Sequence, residues 1–162
     1  MKKFTLLFCC ALIFVAFSCK KKPVDPDPEP YTTFTLNGVQ KKFTHHTKFS
    51  KDFCSSSTFC CSFSSSSDAN AESIKFGIPG DPIVGHVYQT GERRFSCYYF
   101  SSSGIRYDQT WGASYQVIFS VWQGQGGWGQ GTYSGVLKSS EGDSVIIDNG
   151  YFQNMIWTAG SK

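Results

Sequence analysis

The sequence is short of the features that mark most enzymes and nucleic-acid binders. Only 17% of its 162 residues are charged. From residue 31 to 162, ten Lys plus Arg stand against nine Asp plus Glu, with no block of like charge. A nucleic-acid surface needs clustered cations, so no such partner is expected. After the first twenty-two residues no window of useful length repeats apolar residues at helical spacing, which argues against a helical domain. There is no G-x-S-x-G elbow, no H-E-x-x-H pair and no calcium loop. Asp68, Asp81, Glu141, Asp143 and Asp148 stand where turns are expected, and carboxylates there serve the backbone. Glu72, Glu92 and Asp108 are isolated. The expected reading is a protein that is not an enzyme and holds no cofactor. Folding could still assemble a glycosidase-like carboxylate pair, so a small hydrolase remains the alternative.

What is present begins at the amino terminus. Lys2 and Lys3 precede an apolar run from Phe4 to Phe17, broken only by Thr5, and Ser18 then precedes Cys19. That is the three-part build of a secretory signal. The run is too short for a membrane span, which takes about 18 or more apolar residues. A small residue before a cysteine, followed by Lys20, Lys21 and Lys22, resembles the lipobox of bacterial lipoproteins. Ala16 and Phe17 depart from its usual pattern, and a plain signal cut after Ser18 would instead leave Cys19 a thiol. The resemblance implies a signal peptide over 1–18, a lipid on Cys19 and an envelope location anchored to a bilayer. Lys20 replaces the acidic residue that retains enteric relatives of that family in the inner membrane, so the outer membrane is expected. Residues 19–30 then form the lipidated cysteine and a tether with four of the chain's six prolines. Proline fixes φ and removes a donor, so this segment extends to roughly 30 Å as a spacer.

Residues 31–162 are long enough for one domain with a real core. Short alternating strands are predicted over 31–36 and 39–43 around Asn37-Gly38, a pair suited to a tight hairpin turn. Others are predicted over 59–63, 72–78, 95–100, 115–122, 132–138 and 144–148, and a last one over 151–157. Tyr115, Val117, Phe119 and Val121 fall on one predicted core face, and Ile74, Phe76 and Ile78 on another. Gly, Asn, Asp and Pro punctuate the strands. The pattern predicts an all-β antiparallel β-sandwich, with a β-barrel as the alternative. The stretches 131–137 and 142–152, with Phe34-Thr-Leu-Asn-Gly38, resemble small all-β bacterial lipoproteins of unknown function. That resemblance implies a fold and an envelope location, and no catalytic residue.

Four cysteines fall in the domain, an even number for an oxidising compartment. A bridge between neighbours 60 and 61 would be strained; of the two remaining pairings, Cys54–Cys60 across a tight loop with Cys61–Cys97 between strands is preferred to Cys54–Cys61 with Cys60–Cys97. His45 and His46 near Cys54, Cys60 and Cys61 offer a rival metal site for zinc or copper. The spacing matches no C-x₂-C pair, so no metal is expected. Gly124 to Gly129 spells G-x-G-x-x-G, but a strand and not a helix is predicted to follow, so it is a hairpin loop rather than a phosphate cradle. Trp122 precedes it and Trp128 is within it, and Trp111 is on another predicted loop. Exposed rings there would stack on a glycan or on an envelope protein partner; buried, they would close the end of the core.

Overall fold

A computed structural model of the chain describes residues 29–55, 58–67, 72–124 and 126–156. The side chains of 51–59 and of Met155 lie outside that description, as do the predicted signal 1–18, Cys19, most of the tether and the turn at 68–71. Eleven strands are described and no helix. They are Tyr31–Leu36 (β1), Val39–Phe43 (β2), His45–Ser55 (β3), Thr58–Ser66 (β4), Ser73–Pro79 (β5), Val87–Gln89 (β6), Ser96–Phe100 (β7), Arg106–Asp108 (β8), Ser114–Trp122 (β9), Trp128–Lys138 (β10) and Ser144–Met155 (β11).

Asn37 and Gly38 take φ of 48° and 83°, the left-handed pair that a two-residue hairpin needs, and Leu36 pairs with Val39 across them. From there the strands form two curved layers. One runs β3-β4-β5-β7-β8 and the other β6-β9-β10-β11-β1-β2. All strand pairings are antiparallel. The layers meet at one seam where Lys138 of β10 pairs with Asp108 of β8. At the other seam Phe49 of β3 makes an isolated parallel bridge to Ile156. The sheet therefore nearly closes on itself, and the all-β antiparallel architecture expected from the sequence is the one observed.

Aromatic rings fill the space between the layers. Phe152 of β11 has ring centroids of Phe63, Phe76 and Phe119 within 5.1–5.2 Å and Phe49 at 5.7 Å. Rings this large leave no room for a side chain at positions 129 and 131 of β10, although Tyr133 and Leu137 further along the strand are buried in the core. A Cβ at Gly131 would stand 2.5 Å from the Phe152 ring and 2.2 Å from the Ile118 carbonyl oxygen, and one at Gly129 2.7 Å from the Phe49 ring. The glycines of β10 are thus set by the bulk of their neighbours.

Inside the core two buried tyrosines differ in one respect. The Tyr133 hydroxyl is 2.6 Å from Thr32 Oγ1, whereas the Tyr115 hydroxyl has no hydrogen-bond partner among the described residues. Burial pushes both phenols well above their ordinary range, so both stay protonated. An orphan buried hydroxyl costs its desolvation without return. Tyr115→Phe is therefore expected to leave stability unchanged or raise it by up to about 1 kcal/mol, and Tyr133→Phe to lower it by about 1 kcal/mol. Urea titrations of the two variants side by side check the difference; equal losses would contradict it.

Candidate functional site

The cysteine cluster does not form as expected. Cys61 and Cys97 are buried thiols and not a disulfide, which corrects the predicted Cys61–Cys97 bridge and also both bridges of the alternative pairing. The reason is strand order. Cys61 pairs with Ile78 and Cys97 with Phe76, so β5 lies between them. Two strand spacings separate their backbones by roughly 9.5 Å, beyond the ~7 Å that a disulfide spans. Burial and Asp108 push the Cys97 thiol far up, and it donates to Gln109 Oε1 at 3.5 Å. A protonated, enclosed thiol is neither nucleophile nor metal ligand at neutral pH. Cys60 is disulfide-bonded, to a partner outside the described residues, where the Cys54 side chain also lies.

The metal reading separates in the same way. His45 pairs with Ser66 at one end of the β3–β4 ladder, while Cys61 pairs with Lys51 further along. Five residue steps along β4 from Cys61 to Ser66 put about 17 Å between them. His45 and His46 are exposed, whereas Cys60 and Cys61 are buried. Among the described residues no three His, Cys, Asp or Glu side chains stand together as metal ligands would.

The three tryptophans do not make one surface. Trp111 is exposed on the loop leading into β9. Trp122 is at the other end of that strand, which is about 27 Å long at ~3.4 Å per residue. Trp122 is half-buried, edge-on to Phe49 at 5.5 Å and Phe119 at 5.7 Å. A bulge puts it there: Gln130 pairs with Val121 but Gly131 with Phe119, which leaves Ser120 as the extra residue. Trp122, not Val121, therefore packs on the core. Trp128 opens β10, half-buried, and by alternation lies on the outer side.

A concavity lies elsewhere, on the outer face of β9, β10 and β11. Its volume is about 620 Å³, within the ~300–1,000 Å³ range of small-ligand sites. A bulge in β11 builds it. Tyr133 pairs with Gly150 and Gly135 with Ile147, so Ser134 alone faces both Asp148 and Asn149. The same skip appears against β1, where Thr33 pairs with Tyr151 and Thr35 with Asp148. Asn149 takes φ 51°. In a regular strand consecutive side chains point to opposite faces. Here Asp148 and Asn149 are both exposed while Ile147 and Gly150 are buried. The bulge thus aims two adjacent polar side chains at one place, the common use of such features beside sites. The sequence reading of 148–150 as a turn between two strands is corrected: β11 runs through it.

Around that pair stand Gln116 and Ile118 of β9, Thr132 and Ser134 of β10, and Tyr151 of β11. Gln116 Nε2 donates to Ser134 Oγ at 3.3 Å, and the Tyr151 hydroxyl donates to Gln153 Oε1 at 3.2 Å. On its far side the Tyr151 ring meets Tyr31 at 5.8 Å. Lys42 Nζ stands 5.2 Å from the Tyr31 ring centroid. Asp148 is the one charged side chain among the lining residues, and it makes no ion pair among the described residues. The other carboxylates with described partners stand beside basic side chains: Glu72 faces Lys41 with both oxygens at 3.2 Å, Glu92 faces the His86 ring at 3.5 Å, and Asp108 faces Arg106 at 3.2 Å. The arrangement offers hydrogen bonds and one negative charge. Among the described lining residues there is no second carboxyl group, which either glycosidase geometry requires. Sequence reasoning missed this site, because Asp148-Asn149-Gly150 carries the composition of a turn.

No known protein family, curated protein or solved structure matches this chain.

Proposed function

We propose that this protein is a lipid-anchored protein of the bacterial envelope, with a non-catalytic β-domain that presents a binding face to a glycan or protein partner. In this reading residues 1–18 are removed, Cys19 carries the lipid, 19–30 stand the domain off the bilayer, and the outer membrane is the destination. A Cys54–Cys60 bridge at the end of the β3–β4 hairpin belongs to the same reading. The observation that carries the binding function is the polar concavity at the β11 bulge, which joins a small-ligand volume to two re-aimed side chains and only one carboxylate. The tether joins the domain on the same layer, where Gln153 Nε2 donates to the Glu29 carbonyl at 3.2 Å.

The anchor is tested by changing the acceptor. Two or more acyl chains hold a protein on a bilayer where a single chain would not. Cys19→Ala should therefore move nearly all of the protein from the membrane pellet to the soluble fraction of fractionated cells. Retention of Cys19→Ala in the pellet after a high-salt wash would overturn the anchor. The binding face is tested by capture of envelope extract on the detergent-solubilised full-length protein, with Asp148→Ala alongside. Equal capture by both proteins would overturn it.

A further inference from the structure

We propose that the concavity at the β11 bulge is a saccharide subsite selective for uncharged sugars, in which Asp148 and Asn149 share a pair of neighbouring sugar hydroxyls. This deepens the binding reading above and rests on it.

Three observations converge on a sugar. The first is the doublet itself. Ser134 faces two residues where a regular ladder would offer one, so a carboxylate and an amide project side by side from one strand. A carboxylate only accepts, whereas an amide both donates and accepts. Together they match two adjacent hydroxyls, each of which can give and take a hydrogen bond. The second is charge. Asp148 is the only acidic side chain among the described lining residues, which include no Lys or Arg. An acidic sugar, a phosphate or an acidic peptide would meet uncompensated repulsion, while a neutral sugar would gain a charge-assisted hydrogen bond. The third is the wall. Tyr151 and Ile118 add an aromatic ring and an aliphatic side chain to a lining of amides and hydroxyls. A sugar ring likewise joins a C–H face to a hydroxyl rim, and such amphipathic surfaces suit aromatic contact.

The geometry also gives clean variants. Asn149 is at φ 51°, a conformation glycine adopts freely, so Asn149→Gly removes the amide and keeps the bulge. Asp148 is exposed, so Asp148→Asn and Asp148→Ala change chemistry without touching the core. Trp128 is on the same outer side of β10 but does not line the concavity, which makes Trp128→Ala a control for the rival tryptophan site.

Detergent-solubilised full-length protein would be titrated with neutral trisaccharides of glucose, galactose and N-acetylglucosamine, and with anionic trigalacturonate. Binding of at least one neutral trisaccharide is expected, with trigalacturonate at least about tenfold weaker. Asp148→Ala and Asn149→Gly should each weaken it by about tenfold or more, the scale of one charge-assisted or amide hydrogen bond lost. Trp128→Ala should bind as the unsubstituted protein does. Neutral-sugar binding that survives Asp148→Ala and Asn149→Gly would overturn the location. Preference for trigalacturonate would overturn the selectivity. If no saccharide binds but an envelope protein is captured and lost with Asp148→Ala, the sugar class falls and the binding face stands. If nothing binds, both fall.

Discussion

Truncating Phe152 to Ala should lower the unfolding free energy by about 3–5 kcal/mol, the cost of removing a buried aromatic ring that its surroundings cannot replace. The position is fully buried and joins the two layers. From β11 its ring meets Phe63 of β4 and Phe76 of β5 on one side, and Phe119 of β9 on its own layer. The neighbours cannot close the gap, because each is already held by others: Phe63 stacks on Phe76 at 4.9 Å, and Phe49 meets Trp122 edge-on. A cavity next to Gly131 would have no side chain able to swing in. Chemical denaturation followed by tryptophan fluorescence measures the loss. Ile146→Ala serves as the control, since Ile146 is 48% exposed and should change stability by no more than about 0.5 kcal/mol. Comparable effects from both substitutions would mean that the core is not centred on Phe152.

Gly150→Ala is expected to damage both stability and binding. The added Cβ would lie 2.4 Å from the Tyr133 carbonyl oxygen and 2.5 Å from the Tyr133 ring. The oxygen belongs to the backbone of the neighbouring strand, so no rotamer change relieves the contact. Either β10 shifts or the bulge reverts toward regular pairing. Overpacking of this kind costs about 1–3 kcal/mol. A reverted bulge would also return Asp148 and Asn149 to opposite faces and remove the concavity. The contrast with Asn149→Gly is informative, since that change removes one side chain and leaves the backbone as it is. Gly150→Ala should lower the denaturation midpoint and abolish ligand capture, and Asn149→Gly should weaken capture with little change in midpoint. An unchanged midpoint for Gly150→Ala would mean that the packing of Tyr133 on Gly150 is looser than described.

By itself the sequence determined what depends on near neighbours along the chain. Asn37-Gly38 specified the β1–β2 hairpin, because those two residue types reach the left-handed region at low cost and the turn requires it there. Alternation placed Ile74, Phe76 and Ile78, and Tyr115, Val117 and Phe119, in the core where they are found, since a strand exposes every second side chain to one face. Only the tertiary structure decided what depends on which strand lies beside which. Alternation turned Cys61 and Cys97 inward, and β5 between them made a bridge impossible. A bulge at Ser120 exchanged Val121 for Trp122 on the core side. Asp148-Asn149-Gly150 has the composition of a turn, and Asn149 its positive φ, yet β1 and β10 flank it on both sides and hold it as a bulge within one strand. A turn and a bulge make the same local demand on φ, so residue types alone do not distinguish them. Partner strands far off in sequence do, and that is why the candidate site was legible only once the sheet had assembled around it.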